Sequence, residues 1–269
     1  MSSAITVIVP AWRCEHQIVR CLSSLTAQRL DGMSPPHLIV AVNDGRGESI
    51  AAAQHHARQV ADAGWRVEVI ATPPGRRAAI AAAEDRAAAG ARLYVDQDAI
   101  LSPGALAAFA RAASDDGPAR FVTFALTFDR SPSPIVRRFL RAWLALPYVT
   151  ASPVVAGVFG VSRAGRARWD RLPALASDDK YVRLLFAPHE RVRIADQRYQ
   201  VLPDASLERL VQARARYVRG NRQLARVLPS DPARRHAGLA RLLLRPARWP
   251  DVAVLAGVSA LAHWQARRP

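Results

Sequence analysis

The chain has 269 residues, half of them hydrophobic, which is enough for a large folded core and excludes global disorder. Its two cysteines, Cys14 and Cys21, are too few for a disulfide framework, and the sequence contains no Cys/His cluster typical of zinc sites. The formal net charge is +16, and arginine supplies every cationic side chain except Lys180.

The sequence predicts a cytoplasmic protein that does not cross a membrane. No basic segment precedes the first apolar run, which argues against a signal peptide. No stretch reaches the ~18 to 20 uninterrupted apolar residues that a membrane-spanning helix needs. The small number of cysteines agrees with a reducing compartment.

Apolar extended runs alternate with helix-like stretches through the first half of the chain. In the last of these helices, Ser102 is the predicted cap and Pro103 the first helical residue. This alternation predicts a mostly parallel sheet with helices on both faces. The predicted strands span residues 5–9, 37–42, 67–71, 92–95 and 120–126, and the predicted helices span residues 14–29, 48–63, 76–89 and 103–114.

Polar segments follow several of these strands. Ligands of parallel α/β sheets bind at the carboxyl ends of strands, so Pro10, Asn43–Gly45 and Asp96–Asp98 are expected to line one edge. The sequence contains neither a Gly-x-Gly-x-x-Gly segment after its first strand nor a Gly-x-x-x-x-Gly-Lys-[Ser/Thr] segment. Both absences weigh against dinucleotide-binding and P-loop proteins.

Asp96 and Asp98 stand one residue apart, directly behind the apolar run Leu93–Val95. In an extended segment alternate side chains project to the same face, so the two carboxylates are expected to share a divalent cation. Oxygen ligands suit Mg²⁺ or Mn²⁺, which fill their remaining positions with water and substrate phosphates. The alternative is a polar turn, because aspartate is common where a strand stops.

The last 64 residues, from Ser206 onward, hold thirteen arginines against three acids and carry +10 of the net charge. Arginine and tryptophan flank apolar turns there, a pattern that favours a helix in the headgroup region of an anionic membrane. A helical hairpin packed on the domain, with its arginines in solvent, is an equal alternative. Nucleic acid ranks far below both, and no nucleic-acid partner is expected.

The order and spacing of Ile5–Trp12, Cys21–Gln28 and Val42–Gly45 resemble those of conserved segments in the family 2 glycosyltransferases. Ile5–Trp12 is similar to the V-S-V-I-I-P-A-Y opening of that family, and Cys21–Gln28 is similar to C-L-x-S-L-x-x-Q. Val42–Gly45 matches V-D-D-G, with Asn43 in place of the first aspartate.

Later segments extend the resemblance to about residue 220. Pro74–Ile80 is similar to P-G-K-x-x-A-L, although Ala81 stands where asparagine is usual. Leu93–Asp98 takes the place of the metal-binding D-x-D of the family. The remaining matches are Leu101–Leu106 to x-S-P-x-x-L, Gly157–Arg163 to the acceptor-side glycine segment, and Ser177–Val182 to the E-D motif.

The resemblance implies a GT-A fold, which is an α/β, Rossmann-like arrangement with a mostly parallel mixed sheet, and here a C-terminal helical appendage. The expected domain spans residues 1–225, with a nucleotide-sugar half (1–115) and an acceptor half (116–225), followed by a basic amphipathic helical tail (226–269). The implied activity is inverting transfer of one sugar from a nucleotide diphosphate donor to an acceptor hydroxyl. The charge of the basic amphipathic tail, and not the resemblance, favours a lipid-linked or cell-envelope glycan at the inner face of the cell membrane as the acceptor.

The resemblance also implies roles for acidic residues. Asp98 would be the direct metal ligand, and Asp96 would lie nearer the ribose or bind the cation through water. Asp179 is the expected catalytic base, with Asp178 as the second choice. The alternative for this pair is structural, because Ser177 is a good helix cap and acids in a first turn stabilise the positive end of a helix.

Substrate contacts are expected from both halves. Asp44 is expected on the nucleobase and Arg76 or Arg77 on the base or diphosphate, unless the arginines are merely solvated. Arg216–Tyr217 resembles the Q-x-x-R-W motif only in its Arg-aromatic pair, which favours transfer of a single sugar. The full donor set is Pro10, Ala11, Asn43, Asp44, Arg76, Arg77 and Asp96, and the acceptor set is Gly157, Phe159, Arg216 and Tyr217.

Alternatives to these expectations remain at the level of single residues and of the whole protein. Trp12 and Phe159 could stack on a sugar, but core packing is the better interpretation for each. The whole protein could be a catalytically decayed nucleotide- or glycan-binding member of the family, or a basic membrane-surface adaptor.

Overall fold

The computed structural model describes residues 4–30, 32–150, 154–228 and 245–268. Its strands are β1 (Ile5–Ala11), β2 (His37–Val42), β3 (Arg66–Ala71), β4 (Ala91–Val95), β5 (Ala99–Leu101), β6 (Phe121–Phe128), β7 (Val158–Val161) and β8 (Arg191–Val201). Within these residues the strands form an eight-stranded sheet of order β3-β2-β1-β4-β7-β6-β8-β5.

Helices connect these strands and extend the chain beyond the last of them. Side-chain caps start several: the Ser133 hydroxyl accepts a hydrogen bond from the Val136 N–H, and the Ser206 hydroxyl accepts one from the Arg209 N–H. The helices are α1 (Ile18–Thr26), α2 (Gly47–Asp62), α3 (Arg76–Glu84), α4 (Ala105–Ala112), α5 (Pro134–Leu144), α6 (Pro147–Thr150), α7 (Arg163–Arg166), α8 (Asp178–Leu184), α9 (Leu207–Leu224) and α10 (Trp249–Gln265), with 3₁₀ turns at Pro188–Glu190 and Pro246–Arg248.

The first half of the chain builds the parallel part of the sheet. β1 pairs in parallel with β2 and with β4, and β2 pairs in parallel with β3. Every residue of β1, β2 and β4 is buried, as expected for parallel strands covered on both faces. The predicted strands and helices of this half are all present, although α1 is shorter than its predicted span of 14–29 and α3 is shorter than 76–89.

The other half of the sheet is antiparallel. β7 pairs antiparallel with β4 and with β6, and β5 pairs antiparallel with β8. The predicted cap at Ser102 is wrong, because α4 starts at Ala105 behind Gly104. The Ser102 hydroxyl instead donates to Gln197 Oε1 at 2.8 Å and accepts from the Arg198 N–H at 3.1 Å. It therefore bonds to β8 and does not cap the helix.

Internal contacts divide the chain into two units. The first unit contains nearly the whole sheet and a core of interleaved strand and helix side chains such as Val7, Leu38, Leu93 and Phe109. The first unit comprises Met1–Thr127, Val155–Leu172 and Leu185–Val201, and the second comprises Phe128–Val154, Pro173–Leu184 and Leu202–Pro269.

In the second unit, α10 packs against α5 and α9. Its inner face buries Val252, Leu255 and Val258. The buried Asp251 carboxylate accepts hydrogen bonds from Arg141 at 2.9 Å and Arg138 at 3.3 Å on α5. One face of α10 thus packs within the second unit, and its opposite face is exposed; residues 229–244 of the basic tail lie outside the described residues.

The described part of the chain contains no helix that is both long enough and apolar enough to span a bilayer.

Candidate active site

The two carboxylates of the D-x-D segment lie in a turn between β4 and β5. The Ala99 N–H donates a hydrogen bond to the Asp96 carbonyl over 2.9 Å and closes this turn. The expected extended geometry, with Asp96 and Asp98 projecting from alternate positions of a strand, is therefore wrong. The physical reason is topological: β4 lies between β1 and β7, whereas β5 pairs with β8 at the sheet edge, so the chain must change direction between them.

Gln97 connects this turn to the loop behind β1. Its Oε1 accepts the Trp12 N–H at 2.6 Å, and its Nε2 donates to the Trp12 carbonyl at 2.8 Å. Nε2 also lies 3.2 Å from Gln17 Oε1. Sequence reasoning missed Gln97, although a primary amide between two aspartates is the one side chain there that can both donate and accept.

Asp96 contacts the start of α3 and the start of the β7 segment. Arg76, the first residue of α3, pairs through Nη1 with Asp96 Oδ1. The Asp96 N–H donates to the Gly157 carbonyl at 2.7 Å. A β-carbon at Gly157, where φ is +90°, would lie 3.0 Å from Asp96 Oδ2, so this position favours glycine. Gly157, expected on the acceptor side, thus lies directly against the D-x-D turn.

Asp44 is hydrogen-bonded within the loops behind β1 and β2. Its carboxylate accepts the Arg13 N–H at 2.8 Å, the Ser49 hydroxyl at 2.5 Å and the Arg46 N–H at 3.0 Å. Burial alone would raise the pKa of Asp44, but the hydrogen bonds from Ser49, Arg46 and Arg13 outweigh it and lower the pKa. Among the described residues, Arg13 is the only non-glycine with a positive φ, at 46°. The carboxylate therefore holds a left-handed turn of the β1 loop.

Neighbouring donor-site candidates are part of the same edge. Pro10 and Ala11 are buried at the end of β1, and the buried Asn43 donates its N–H to the Ala11 carbonyl at 2.9 Å. The structure thus brings several sequence-distant candidates together at the carboxyl ends of the parallel strands, as expected. The pairs linked directly by hydrogen bonds or close contact are Ala11 with Asn43, Trp12 with Gln97, Arg76 with Asp96, and Asp96 with Gly157.

Phe159 lies in the core and not on an acceptor surface. Its side chain is 1% exposed, and its ring stacks on Tyr94 at 4.6 Å and on Phe121 at 5.6 Å between centroids. The assignment of Phe159 to the acceptor set is therefore corrected, because β7 pairs between two strands and turns this ring into the sheet interior. The alternative interpretation, core packing, holds for Phe159, whereas Trp12 is 54% exposed.

A buried ionic cluster fixes the other end of α3. Glu84 accepts hydrogen bonds from Arg166 Nε at 2.9 Å, from Arg92 Nε at 3.3 Å and from the Tyr94 hydroxyl. Burial, followed by the nearby Glu84 carboxylate, raises the pKa of Tyr94 well above its ordinary value. The cluster attaches α3, which carries Arg76, to β4, which leads into Asp96.

Ala81 and Arg77 line a cavity on the side of α3 that faces the segment behind α7. The cavity has a volume of about 280 Å³. Ile80, Trp169 and Leu172 supply apolar walls. Arg77 therefore lines this cavity, whereas the guanidinium of its neighbour Arg76 pairs with Asp96.

In the second unit, the acid pair begins α8. Asp178 is buried and accepts the Asp179 N–H at 2.8 Å, while Asp179 accepts the Lys180 N–H at 2.6 Å. The alternative role of Ser177 as cap is wrong, because its buried hydroxyl has no hydrogen-bond partner within the described residues. That hydroxyl lies instead against Gly220 of α9.

The Arg-aromatic pair of α9 lies at the surface of the second unit. Arg216 is exposed, and Tyr217 is 41% exposed. Sequence reasoning missed Arg214, whose guanidinium lies 5.4 Å from the Tyr217 ring and 5.5 Å from the ring of Phe139 on α5. Arg214 therefore joins α9 to α5, while Arg216 remains available to solvent.

The carboxylates fit a cation that is held only partly by protein. Across the described residues, no group of three or more His, Cys, Asp or Glu side chains could form a complete metal site. Mg²⁺ and Mn²⁺ do not need one, because they usually bind through one or two carboxylates plus waters and substrate phosphates. Asp96 and Asp98, in one turn at the strand ends, fit that partial ligand set.

Solved structures that are similar to this one define its class as the GT-A glycosyltransferase fold. Mannosyltransferase PcManGT from Pyrobaculum calidifontis, in complex with GDP-Man and Mn²⁺, aligns with a TM-score of 0.63 and 17% identity, covering 100% of this chain and 77% of that one. S. aureus TarS aligns at 0.56 and 14% identity, covering 96% and 55%. Glucosyl-3-phosphoglycerate synthase from Mycobacterium tuberculosis, with Mn²⁺ and UDP-glucose, aligns at 0.50 and 17% identity, covering 85% and 81%.

The chain belongs to glycosyl transferase family 2, whose sequence profile matches residues 6–170. The expectation of that family and of a GT-A fold with a C-terminal helix is thereby confirmed. A search by sequence finds no match among curated proteins.

Proposed function

We propose that this protein is an inverting, metal-dependent glycosyltransferase that moves a single sugar from a nucleotide diphosphate donor to an acceptor hydroxyl. The observation that carries the proposal is the Asp96–Asp98 turn, held by Gln97 at the carboxyl edge of the parallel strands in a family 2 chain. Structural neighbours solved with GDP-Man and Mn²⁺ or with UDP-glucose and Mn²⁺ support a nucleotide sugar and a divalent cation.

The chemistry of the donor explains the acidic turn. Cleavage of the sugar–phosphate bond places negative charge on the departing diphosphate, and a bound Mg²⁺ or Mn²⁺ would neutralise that charge. Asp98 is the proposed direct ligand, with Asp96 nearer the ribose or connected through water. Arg76 supplies a second positive group beside the same carboxylate and can hydrogen-bond phosphate oxygens.

The other donor contacts come from the loops behind β1 and β2. Pro10, Ala11 and Asn43 would border the nucleotide, and Asp44 would orient the nucleobase. Asp44 already accepts three hydrogen bonds from the loops behind β1 and β2, which leave few of its lone pairs for the ligand. These bonds support a role for Asp44 mainly in positioning those loops around the nucleobase.

Asp179 is the proposed general base. Inversion requires a base that removes the acceptor proton as the hydroxyl attacks the face of the sugar opposite the leaving group. A carboxylate at a helix start is normally stabilised in its charged form, which weakens it as a base. Asp178, a buried carboxylate hydrogen-bonded to the Asp179 N–H, supplies an opposing negative charge next to it. The exposed pair Arg216–Tyr217 would contact the acceptor.

A thermal-shift panel tests the donor half of the proposal. UDP-, GDP-, dTDP- and CDP-sugars are compared with and without Mn²⁺, and the correct donor at ~100 times its Kd should stabilise the protein by about 2.7 kcal/mol. Asp98→Asn should lose the Mn²⁺-dependent part of that shift, whereas Asp62→Asn, at an exposed position of α2, should keep it. A protein that binds a nucleotide sugar but neither hydrolyses nor transfers it would be a binding module.

We also propose that α10 lies on an anionic membrane that presents a lipid-linked or cell-envelope glycan. Its outer face exposes Trp249 at 57%, Leu261 at 47% and Trp264 at 55%. No charged residue occurs from position 252 to 262. At the end of the helix, the guanidinium of Arg268 lies 3.5 Å from the centroid of the Trp264 ring. Tryptophan with arginine beside an apolar face favours the headgroup region of anionic bilayers.

Vesicle flotation tests the membrane surface. The protein should bind vesicles containing phosphatidylglycerol and lose this binding at high salt, because the surface attraction is screened. Trp249→Ser combined with Trp264→Ser should weaken binding at least tenfold, while Ile135→Ser, another exposed apolar residue of the second unit, should leave it unchanged. Equal binding to purely phosphatidylcholine vesicles would contradict the proposed anionic surface.

A further inference from the structure

Arg76 pairs with Asp96, one of the two carboxylates of the proposed donor site. Its Nη1 pairs with Asp96 Oδ1, and both side chains are only partly exposed, at 36% and 31%. The second oxygen of Asp96 lies next to Gly157, so close that a β-carbon there would come within 3.0 Å. Asp96 therefore meets a guanidinium on one side and backbone on the other.

A bare divalent cation meets an unfavourable site in this arrangement. A cation bound by the D-x-D turn would stand a few ångströms from the guanidinium, and like charges at that distance repel each other. The turn offers two carboxylates, of which Asp96 is already neutralised by Arg76. In the described part of the chain no cluster of three or more potential ligands compensates for this loss.

A diphosphate removes the conflict. Its oxygens supply the remaining ligands of the cation, and its negative charge offers the guanidinium a further, bidentate partner. Arg76 can turn from Asp96 to the diphosphate without leaving the edge, because it is the first residue of α3. The far end of that helix is fixed through Glu84, Arg166 and Arg92, so the helix can stay in place while the arginine side chain turns.

We propose that Arg76 couples cation binding to nucleotide binding: it neutralises Asp96 in the empty site and transfers to the diphosphate when nucleotide and cation enter together. The inference rests on the proposed function and deepens it by naming the residue that sets the order of binding. The free protein should bind Mn²⁺ weakly. A nucleoside diphosphate should raise the affinity for Mn²⁺, and Mn²⁺ should raise the affinity for the nucleoside diphosphate by the same factor.

The test measures binding, not turnover. Mn²⁺ affinity of the protein alone is measured by the electron paramagnetic resonance signal of free Mn²⁺, and UDP and GDP affinities are measured by calorimetry with and without Mn²⁺. In Arg76→Met, Mn²⁺ should bind the free protein at least tenfold more tightly, whereas the nucleotide in the presence of Mn²⁺ should bind at least tenfold more weakly. Arg76→Lys keeps the positive charge and should retain weak Mn²⁺ binding by the free protein.

Arg86→Met is the matched control, because it removes an arginine just beyond the other end of α3, where Arg86 pairs with Glu68 at 3.4 Å. Its affinity for Mn²⁺ and its affinities for UDP and GDP should equal those of the parent protein. Equal Mn²⁺ affinity of the free parent and of Arg76→Met, with nucleotide still strengthening Mn²⁺ binding in both, overturns the coupling and leaves the proposed function intact. Failure of the parent protein to bind any nucleotide with or without Mn²⁺ overturns both.

Discussion

Gly220 lies so close to Ser177 that a β-carbon at position 220 would come within 2.3 Å of the Ser177 hydroxyl oxygen. Two hydrogen bonds from the same helix act on the same segment: Asn221 Oδ1 accepts from Lys180 Nζ at 2.8 Å, and Gln223 Oε1 accepts the Ala176 N–H at 3.1 Å. The segment that carries Asp178 and Asp179 is thus positioned by α9.

Gly220→Ala should move this segment or force Ser177 into another rotamer. We expect a loss of about 1 to 3 kcal/mol in the free energy of unfolding, as is typical when a methyl group is added to a packed contact. The turnover rate should fall more than donor affinity, since the donor candidates lie in the first unit. Urea unfolding and a comparison of kcat with donor Kd measure the two effects.

Gly257→Ala is the control for this substitution. Gly257 also lies inside a helix, but an added β-carbon would meet nothing within 4 Å, so alanine should be neutral or stabilising by up to about 1 kcal/mol. If both variants unfolded at the same urea concentration, the close contact of Gly220 would have no energetic consequence.

Asp179→Asn should reduce transfer by about 10² to 10⁴, the usual contribution of a general base, while donor affinity stays within about twofold. Asp178→Asn should have a smaller effect on the rate, because that buried carboxylate acts on its neighbour. Product formation and calorimetric donor binding are measured on the same preparations. Full turnover by Asp179→Asn, with loss in Asp178→Asn, would move the base to Asp178.

Gln97→Ala should lower the affinity for nucleotide and Mn²⁺ by about 10- to 100-fold, a typical cost of removing a group that orients a metal ligand. Its two hydrogen bonds to the Trp12 backbone, at 2.6 and 2.8 Å, hold the turn between the two aspartates. Gln59→Ala, on the exposed face of α2, is the control. Calorimetry gives the affinities, and unchanged binding by Gln97→Ala would exclude a positioning role.

Glu190 should make the stability of the protein depend on pH in the acid range. Hydrogen bonds from Arg168, at 2.5 and 2.8 Å, lower the pKa of Glu190 from 4.5 to about 2. Because the folded state holds the charged form, this stabilisation is complete above the unfolded pKa and is lost as the pH falls through the folded pKa. The window therefore runs from about pH 4.5 down to about pH 2.

Glu190→Gln should flatten the pH dependence of the unfolding free energy within that window and cost no more than about 1 kcal/mol at pH 7, since the pair is partly exposed. Urea titrations at several pH values measure both quantities. Glu48→Gln, at a carboxylate that is 73% exposed beside Arg46, is the control. An identical acid response in the parent protein and Glu190→Gln would contradict the assignment.

The sequence by itself was sufficient for the parallel half of the sheet and for the family. Long apolar runs such as Ile5–Val9 and Leu38–Val42 are buried on both faces, so composition and spacing alone mark them as strands. The order of the motifs along the chain identifies the family, because several short matches in the same order are far more specific than any one of them.

Tertiary structure alone decided the contacts at the site. Arg76 pairs with Asp96, and Gln97 bonds to Trp12, across at least 20 positions of the chain. The burial of Phe159 depends on which strands lie beside β7. Local patterns carry no information about such partners. The failed cap at Ser177 has the same cause, since the closeness of Gly220 depends on how α9 packs and not on the residues beside Ser177.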